Sequence, residues 1–310
     1  MQLPLSADTR TRHSSNSEPT TAPLVETATE RPSAALTETD ALEKETRLRT
    51  HRRFDRAARL FTEPGLHRLQ RSRVLVVGVG GVGSFAAEAL ARSGVGQLVL
   101  IDFDKVCITN TNRQLHTMKG TVGRSKVEVM AERLRLVHPT AQVEAVPRFY
   151  NAETSEQLLE GQVDFVVDAI DNLTAKAHLL VSCLERGVRV VSCMGAAARL
   201  DPTKIRIEDL SNTMKDPFAR ALRKILQQQY GIEAVHGRPI GVPAVFSTEE
   251  PRAPSPLEYD GESGFRCVCP GGKNGMHDCD RRARIDGSAC FVTGSFGLTA
   301  ASVVVRELSG

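Results

Sequence analysis

Gly78-Val79-Gly80-Gly81-Val82-Gly83-Ser84 follows a β-branched run, Val74 to Val77, and leads into helical spacing from Val82 to Arg92. Glycines in such a turn let the backbone approach a phosphate closely, and the helix N-terminus supplies free N–H groups and the positive end of a dipole. Asp102 ends the next apolar run, where a carboxylate can accept hydrogen bonds from ribose hydroxyls. Turn and aspartate fit NAD, FAD and ATP sites alike. Two cations narrow the choice: Arg113 in Asn110-Thr111-Asn112-Arg113-Gln114, and Lys126 in Gly123-Arg124-Ser125-Lys126. Cations beside a glycine-rich anion site suit a triphosphate, because they offset the charge that grows as pyrophosphate leaves. A lone Arg or Lys is usually a solvated surface residue, so the weight lies on their joint occurrence with Asp102 and the turn. Asp168-Ala169-Ile170-Asp171-Asn172 closes a further strand-like run. It would lie at the carboxyl edge of a sheet, where open α/β proteins bind ligands. Asp171 is the carboxylate suited to magnesium between phosphates, and Asp168 is expected to cap a helix.

The elements that must hold these residues are legible from periodicity. Val74 to Val77, Leu98 to Ile101, Val143 to Val146, Phe165 to Val167 and Val188 to Val191 are short β-branched runs. Between them, Val82 to Arg92, Val122 to Val137 and Thr174 to Arg186 carry apolar residues three or four apart. Such alternation predicts an α/β fold, a Rossmann-like parallel sheet with helices on both faces. Ile205 to Ile207 reads as another strand, Pro217 to Gln229 as a helix, and 231 to 287 as loops with short strands. The nucleotide-binding core is expected over 73 to 200, and a C-terminal, substrate-facing part over 211 to 310.

The chain has 310 residues, 41% hydrophobic and 25% charged, with no Trp. Those proportions exclude a collagen, a disulfide scaffold and a wholly disordered chain. A net charge of +3 is too small to name a partner. Residues 1 to 50 hold no aromatic residue and mix Ser, Thr, Pro and Glu, the composition of a disordered tail. They include no apolar run of signal-peptide type, and 8 acidic residues argue against an acid-poor transit peptide. Seven cysteines, with Cys107, Cys183 and Cys193 in apolar surroundings, indicate a reducing compartment. A cytoplasmic location is expected, with a mitochondrial one also open. Gly287 to Val305 is uncharged for 19 residues but diluted by Ser, Thr and Gly, which predicts a buried helix rather than a membrane span.

Taken together, these residues resemble the ubiquitin-activating-enzyme-like (HesA/MoeB/ThiF) adenylyltransferases, which activate a carboxylate with ATP as an acyl-adenylate. The resemblance covers about residues 51 to 310 and is specific through Gly78 to Ser84, Asp102 to Gln114, Gly123 to Lys126 and Asp168 to Asn172. It implies that Gly78, Gly80, Gly81, Gly83, Asp102, Asp104, Asn110, Arg113, Lys126 and Asp171 surround ATP and magnesium. Arg113, Lys126 and Asp171 would be the reacting-site residues. An arginine ahead of the first strand, Arg56 or Arg59, would reach phosphates of a partner subunit, which implies a homodimer. Arg53-Phe54 with Ala58-Arg59-Leu60, Thr109 to Gln114, Asp201 to Ile205, Asp216-Pro217 and Val245 to Glu249 resemble one branch. Its members dehydrate threonylcarbamoyladenosine beside the tRNA anticodon. There the substrate's own atom displaces AMP, so no enzyme cysteine is required; a sulfur-transfer protein is a further implied partner.

Branches that activate ubiquitin-like or sulfur-carrier proteins commonly carry two CxxC zinc pairs, and this chain has no CxxC. Activation of such a carrier is the alternative reading; a noncatalytic nucleotide-bound scaffold and an NAD dehydrogenase are the others. Cys193 is expected to be buried in a strand. Cys267, Cys269, His277 and Cys279 offer three thiols and an imidazole to a zinc ion, although CxC is a tighter bite than the usual spacing and free loop thiols fit as well. Arg266, Lys273, Arg281, Arg282 and Arg284 surround that cluster, while Arg220, Arg223 and Lys224 lie on the preceding helix. Such cations can meet RNA phosphates.

Overall fold

The computed structural model describes residues 51–257 and 285–310. The tail expected over 1 to 50, the zinc cluster of Cys267, Cys269, His277 and Cys279, and the cations around it lie outside the described residues.

Two short helices, α1 (Asp55–Phe61) and α2 (Glu63–Arg71), precede the sheet. Then β1 (Arg73–Val77), α3 (Gly83–Arg92), β2 (Gln97–Ile101), α4 (Lys126–Val137), β3 (Gln142–Val146), α5 (Ala152–Leu158), β4 (Phe165–Asp168), α6 (Leu173–Arg186) and β5 (Val190–Cys193) alternate. β6 (Ile205–Asp209), α7 (Pro217–Tyr230), β7 (Pro243–Ser247) and α8 (Cys290–Ser309) complete the described part. The seven strands lie in the order β3-β2-β1-β4-β5-β7-β6, all parallel except β6, which runs antiparallel to β7. The strand order reverses between β1 and β4, and the loops leaving their carboxyl ends therefore part and open a crevice.

Alternation along the strands builds two cores. Val74, Val76, Leu98 and Leu100 face α3, α4 and α8, while Leu75, Val77, Val99 and Ile101 face α5, α6 and α7. This is the expected sheet with helices on both faces; β1, β2, β4, β5 and β7 are buried on both sides because the sheet is covered twice, while the edge strands β3 and β6 stay partly exposed.

Two boundaries differ from the sequence reading. Helix α4 starts at Lys126 rather than Val122, because Gly120 and Gly123 both take positive φ and keep 118–125 in turns. The fifth strand begins at Val190, after Gly187 ends α6 in the left-handed region. Among the loops and short strands expected over 231 to 287, β7 is a short strand buried in the main sheet. Helix α8 is long and apolar enough to cross a membrane by length and composition alone, yet Val292, Phe296, Ala300 and Val304 are buried against the sheet and α3. Gly297 makes that packing possible, since a Cβ there would lie 2.2 Å from the Val82 carbonyl oxygen.

Candidate active site

At the β1/β4 crevice the chain encloses a cleft of about 540 Å³. Gly78, Gly80 and Gly81 form one wall, Asp102, Asp104, Arg113 and Lys126 a second, and Asp171 stands at the end of β4. Eight of the expected site residues, drawn from four stretches of chain, thus share one cavity.

The glycine turn is held by the neighbouring strand. Asp102 Oδ2 accepts the Val79 N–H at 2.7 Å and its Oδ1 accepts the Asp104 N–H at 2.9 Å. Burial pushes the Asp102 carboxyl up, against the lowering influence of Lys126. Gly83 does not line the cleft. It opens α3 against the Gly78 carbonyl oxygen, where a Cβ would sit 1.8 Å away. Gly83→Ala is therefore expected to displace the turn and to abolish ATP binding, measurable by titration calorimetry.

Lys126, the first residue of α4, donates from Nζ to Asp104 Oδ2 at 2.7 Å. Burial opposes its charge, but Asp102, Asp104 and Asp171 outweigh that and raise its pKa. A cation is thereby fixed in the cleft that the glycine turn lines. Arg113 is aimed from a short turn, its Nη1 donating to Thr109 O at 3.0 Å and Asn112 Oδ1 at 2.9 Å. Asn110 is buried under that turn rather than in the lining. Its Oδ1 accepts the Cys107 N–H, and its carbonyl accepts the N–H groups of Arg113 and Gln114.

Arg59 is not brought to this cleft. It lies on α1 with its side chain 77% exposed, paired with Asp55 at 3.2 Å, and Arg56 is also exposed.

Asp168 is not a helix cap; Asn172 caps α6, accepting the Ala175 N–H. Asp168 is fully buried and its Oδ2 accepts from Lys176 Nζ and from Ser192 Oγ, each at 2.6 Å. The pair locks α6 to β4 and β5 directly beneath the cleft.

Several lining residues are not among the expected site residues. Gln114 lines the cleft, and its Oε1 lies 3.0 Å from Nε2 of the fully buried His116. Burial, helped by Lys126, lowers the His116 pKa to about 3, so the ring is neutral and donates this hydrogen bond. Gln114 closes the Asn110 to Gln114 stretch, which is the signal that could have found it. Phe103 and Phe149 meet edge to face at 4.9 Å on another wall. At the far end Arg199 joins three segments. It donates to the carbonyls of Gly195, Ala197 and Glu249, and its Nη2 donates to Asp216 Oδ2 at 3.1 Å. Cys193 is buried in β5 as expected and forms part of the floor, its thiol pushed up to about 12 by burial. The arrangement offers a triphosphate a glycine turn, two cations and a carboxylate, and it offers a second substrate an enclosed space beyond them.

The ThiF family profile matches residues 54–310. The chain belongs to the ThiF family. This ThiF-family chain is 39% identical over 257 residues to the tRNA threonylcarbamoyladenosine dehydratase of Haemophilus influenzae, covering 83% of this chain and 93% of that relative. It is 46% identical over 198 residues to the Bacillus subtilis protein of the same name, covering 64% and 75%. Its fold is similar to the crystal structure of the Escherichia coli tRNA N6-threonylcarbamoyladenosine dehydratase TcdA in complex with ATP. That match has a TM-score of 0.71 and 35% identity over 88% of this chain and 96% of the other.

Proposed function

We propose that this ThiF-family chain is an AMP-forming, ligase-type enzyme that dehydrates and cyclises threonylcarbamoyladenosine next to the tRNA anticodon at the expense of ATP. The observation carrying this reading is the joining of Arg113, Lys126 and Asp171 to the glycine turn, in a chain similar along nearly its whole folded length to an ATP-bound dehydratase.

In the first step an oxygen of the substrate carboxylate attacks the α-phosphorus of ATP, and pyrophosphate leaves. The glycine turn and the α3 N-terminus hold the phosphates, while Arg113 and Lys126 offset the charge gathering on the leaving group. Asp171, a hard oxygen donor at the cleft, fits magnesium, which usually takes one or two carboxylates together with phosphate oxygens. When bound, the ion would neutralise phosphate charge. In the second step an atom of the same modification attacks the acyl carbon and loses its proton as AMP departs. A ring closes, and the nucleoside has lost one water.

The nucleophile belongs to the substrate, and the Cys193 thiol on the cleft floor, raised to about 12, is protonated at neutral pH, which fits a reaction that asks nothing of it. The exposed position of Arg59 away from its own cleft supports a homodimer in which Arg56 or Arg59 serves the partner's phosphates. A cytoplasmic site of action belongs to the same reading.

With ATP, magnesium and tRNA bearing threonylcarbamoyladenosine, mass spectrometry of the recovered nucleoside should show the loss of one water, with AMP and pyrophosphate released. Cys193→Ser should retain this conversion. An unchanged nucleoside mass beside adenylation of a carrier protein's C-terminus would overturn the proposal in favour of carrier activation.

A further inference from the structure

One edge of the cleft is made by Asp216, Pro217 and Phe218, the N-cap and first turn of α7. Outward from this edge the exposed charge on α7 is of one sign. Lys215 immediately precedes it and is exposed; Arg220 and Lys224 occupy the exposed face of α7. Four residues separate these two, about 6 Å along a helix axis. No carboxylate occurs in α7, whose buried stripe is Ala219, Leu222 and Leu226. Of the acids flanking this region, Glu208 and Glu233 are exposed beyond the ends of this row, and the two nearest the cleft edge are used internally. Asp209 accepts the N–H groups of Ser211, Ile240, Gly241 and Val242, and Asp216 pairs with Arg199.

The backbone gives a second, independent observation. Lys215 has φ 58°, a left-handed conformation that strains a residue with a Cβ. The strain is held in place on both sides, after Lys215 by Asp216 Oδ1 accepting the Ala219 N–H at 3.0 Å and before it by two contacts of the preceding turn. Arg223 donates to the carbonyls of Leu210 and Thr213 at 3.3 and 3.1 Å, and Asn212 Oδ1 accepts the Gly237 N–H at 2.8 Å. Glycine would satisfy this conformation without cost. A lysine held there keeps an ammonium at the cleft edge, beside the exposed Met214.

We propose that Lys215, Arg220 and Lys224 form the track on which the sugar–phosphate backbone of the substrate RNA lies while the acyl-bearing nucleoside enters the cleft past Phe218. This rests on the tRNA reading above. A nucleoside inside the cleft brings its flanking phosphates to the rim, and three exposed cations, two of them one helical turn apart and with only the buried Asp216 between them in sequence, match that repeating charge. An acidic protein is the other class of partner for such a row.

The test compares wild type with Arg220→Glu/Lys224→Glu for binding of threonylcarbamoyladenosine-bearing tRNA between 50 and 200 mM salt, both values being experimental settings on the order of those that resolve phosphate contacts. The double variant should bind at least roughly tenfold more weakly at the low-salt end. Its log–log salt slope should be shallower by about 2, since each lost phosphate contact removes about 0.9. ATP affinity and melting temperature should stay at wild-type values; if they do not, Arg220→Gln/Lys224→Gln is measured in its place with the same expectation. Lys215→Gly, which relieves the strain while removing the charge, should weaken tRNA binding without lowering the melting temperature. Unchanged tRNA affinity and slope in variants of a wild type that converts tRNA would overturn the track and leave the enzymatic reading standing. Unchanged tRNA binding with weakened binding of poly-glutamate would overturn it in favour of an acidic protein partner. A wild type that neither binds nor converts tRNA would overturn both.

Discussion

Lys126→Ala is expected to slow adenylate formation by about 10²–10³-fold, the usual consequence of removing one charge contact that strengthens in the transition state. Its ammonium is nearly buried and is kept charged by Asp102, Asp104 and Asp171. It is therefore already oriented when phosphate charge develops and needs no reorganisation at that moment. The same variant leaves Asp102 and Asp104 facing each other without their cation, so a lower melting temperature is expected alongside the lost rate. Asp171→Ala separates the two effects. Asp171 is exposed at the end of β4, and its loss should reduce the rate over a comparable range while the melting temperature stays near wild type. Pyrophosphate exchange and single-turnover AMP release measure the rate; calorimetric unfolding measures the fold. Near-normal AMP release from either variant would show that the phosphates lie elsewhere.

The second large effect concerns stability. Lys176→Met should destabilise the protein by about 3–5 kcal/mol, because breaking a buried ion pair strands the remaining charge. Both partners have fully buried side chains, and Asp168 keeps only the Ser192 hydroxyl and the Ile170 N–H once the ammonium is gone. For a folded unit of this size the loss corresponds to roughly 6–20 °C in melting temperature. Lys176→Met/Asp168→Asn should recover much of it, since an asparagine retains partners for Ser192 and Ile170 without carrying charge. A double variant as unstable as Lys176→Met would mean that the site fails by mispacking rather than by an uncompensated charge. Because the pair ties α6 to β4 and β5, ATP affinity in the single variant should fall only as far as the folded fraction falls.

Features governed by local rules were legible in the amino-acid order. Gly78 to Ser84 announces a phosphate turn because backbone approach demands glycine, and Asp102, Arg113, Lys126 and Asp171 stand out as charges at the ends of strand-like and helix-like runs. Periodicity likewise determined the alternating strands and helices, and hence two layers of helix over a parallel sheet, because strand and helix spacings expose different faces. Asp168 could not be assigned in this way: its partner Lys176 lies eight residues on, in the first turn of α6, and only packing of that helix under β4 makes the two a buried pair. Arg199 gathers Gly195, Ala197, Asp216 and Glu249 from segments with no shared periodicity, and β7 became a central strand because β5 and β6 offered it pairing on both sides. His116 fixes Gln114 by a hydrogen bond whose direction burial sets, since the buried ring is neutral. The sequence by itself thus determined which chemical groups are present and which local elements carry them, through torsional preference and hydrophobic period. Tertiary structure alone decided which of those groups are desolvated together, because burial and charge pairing depend on contacts between segments far apart in the chain.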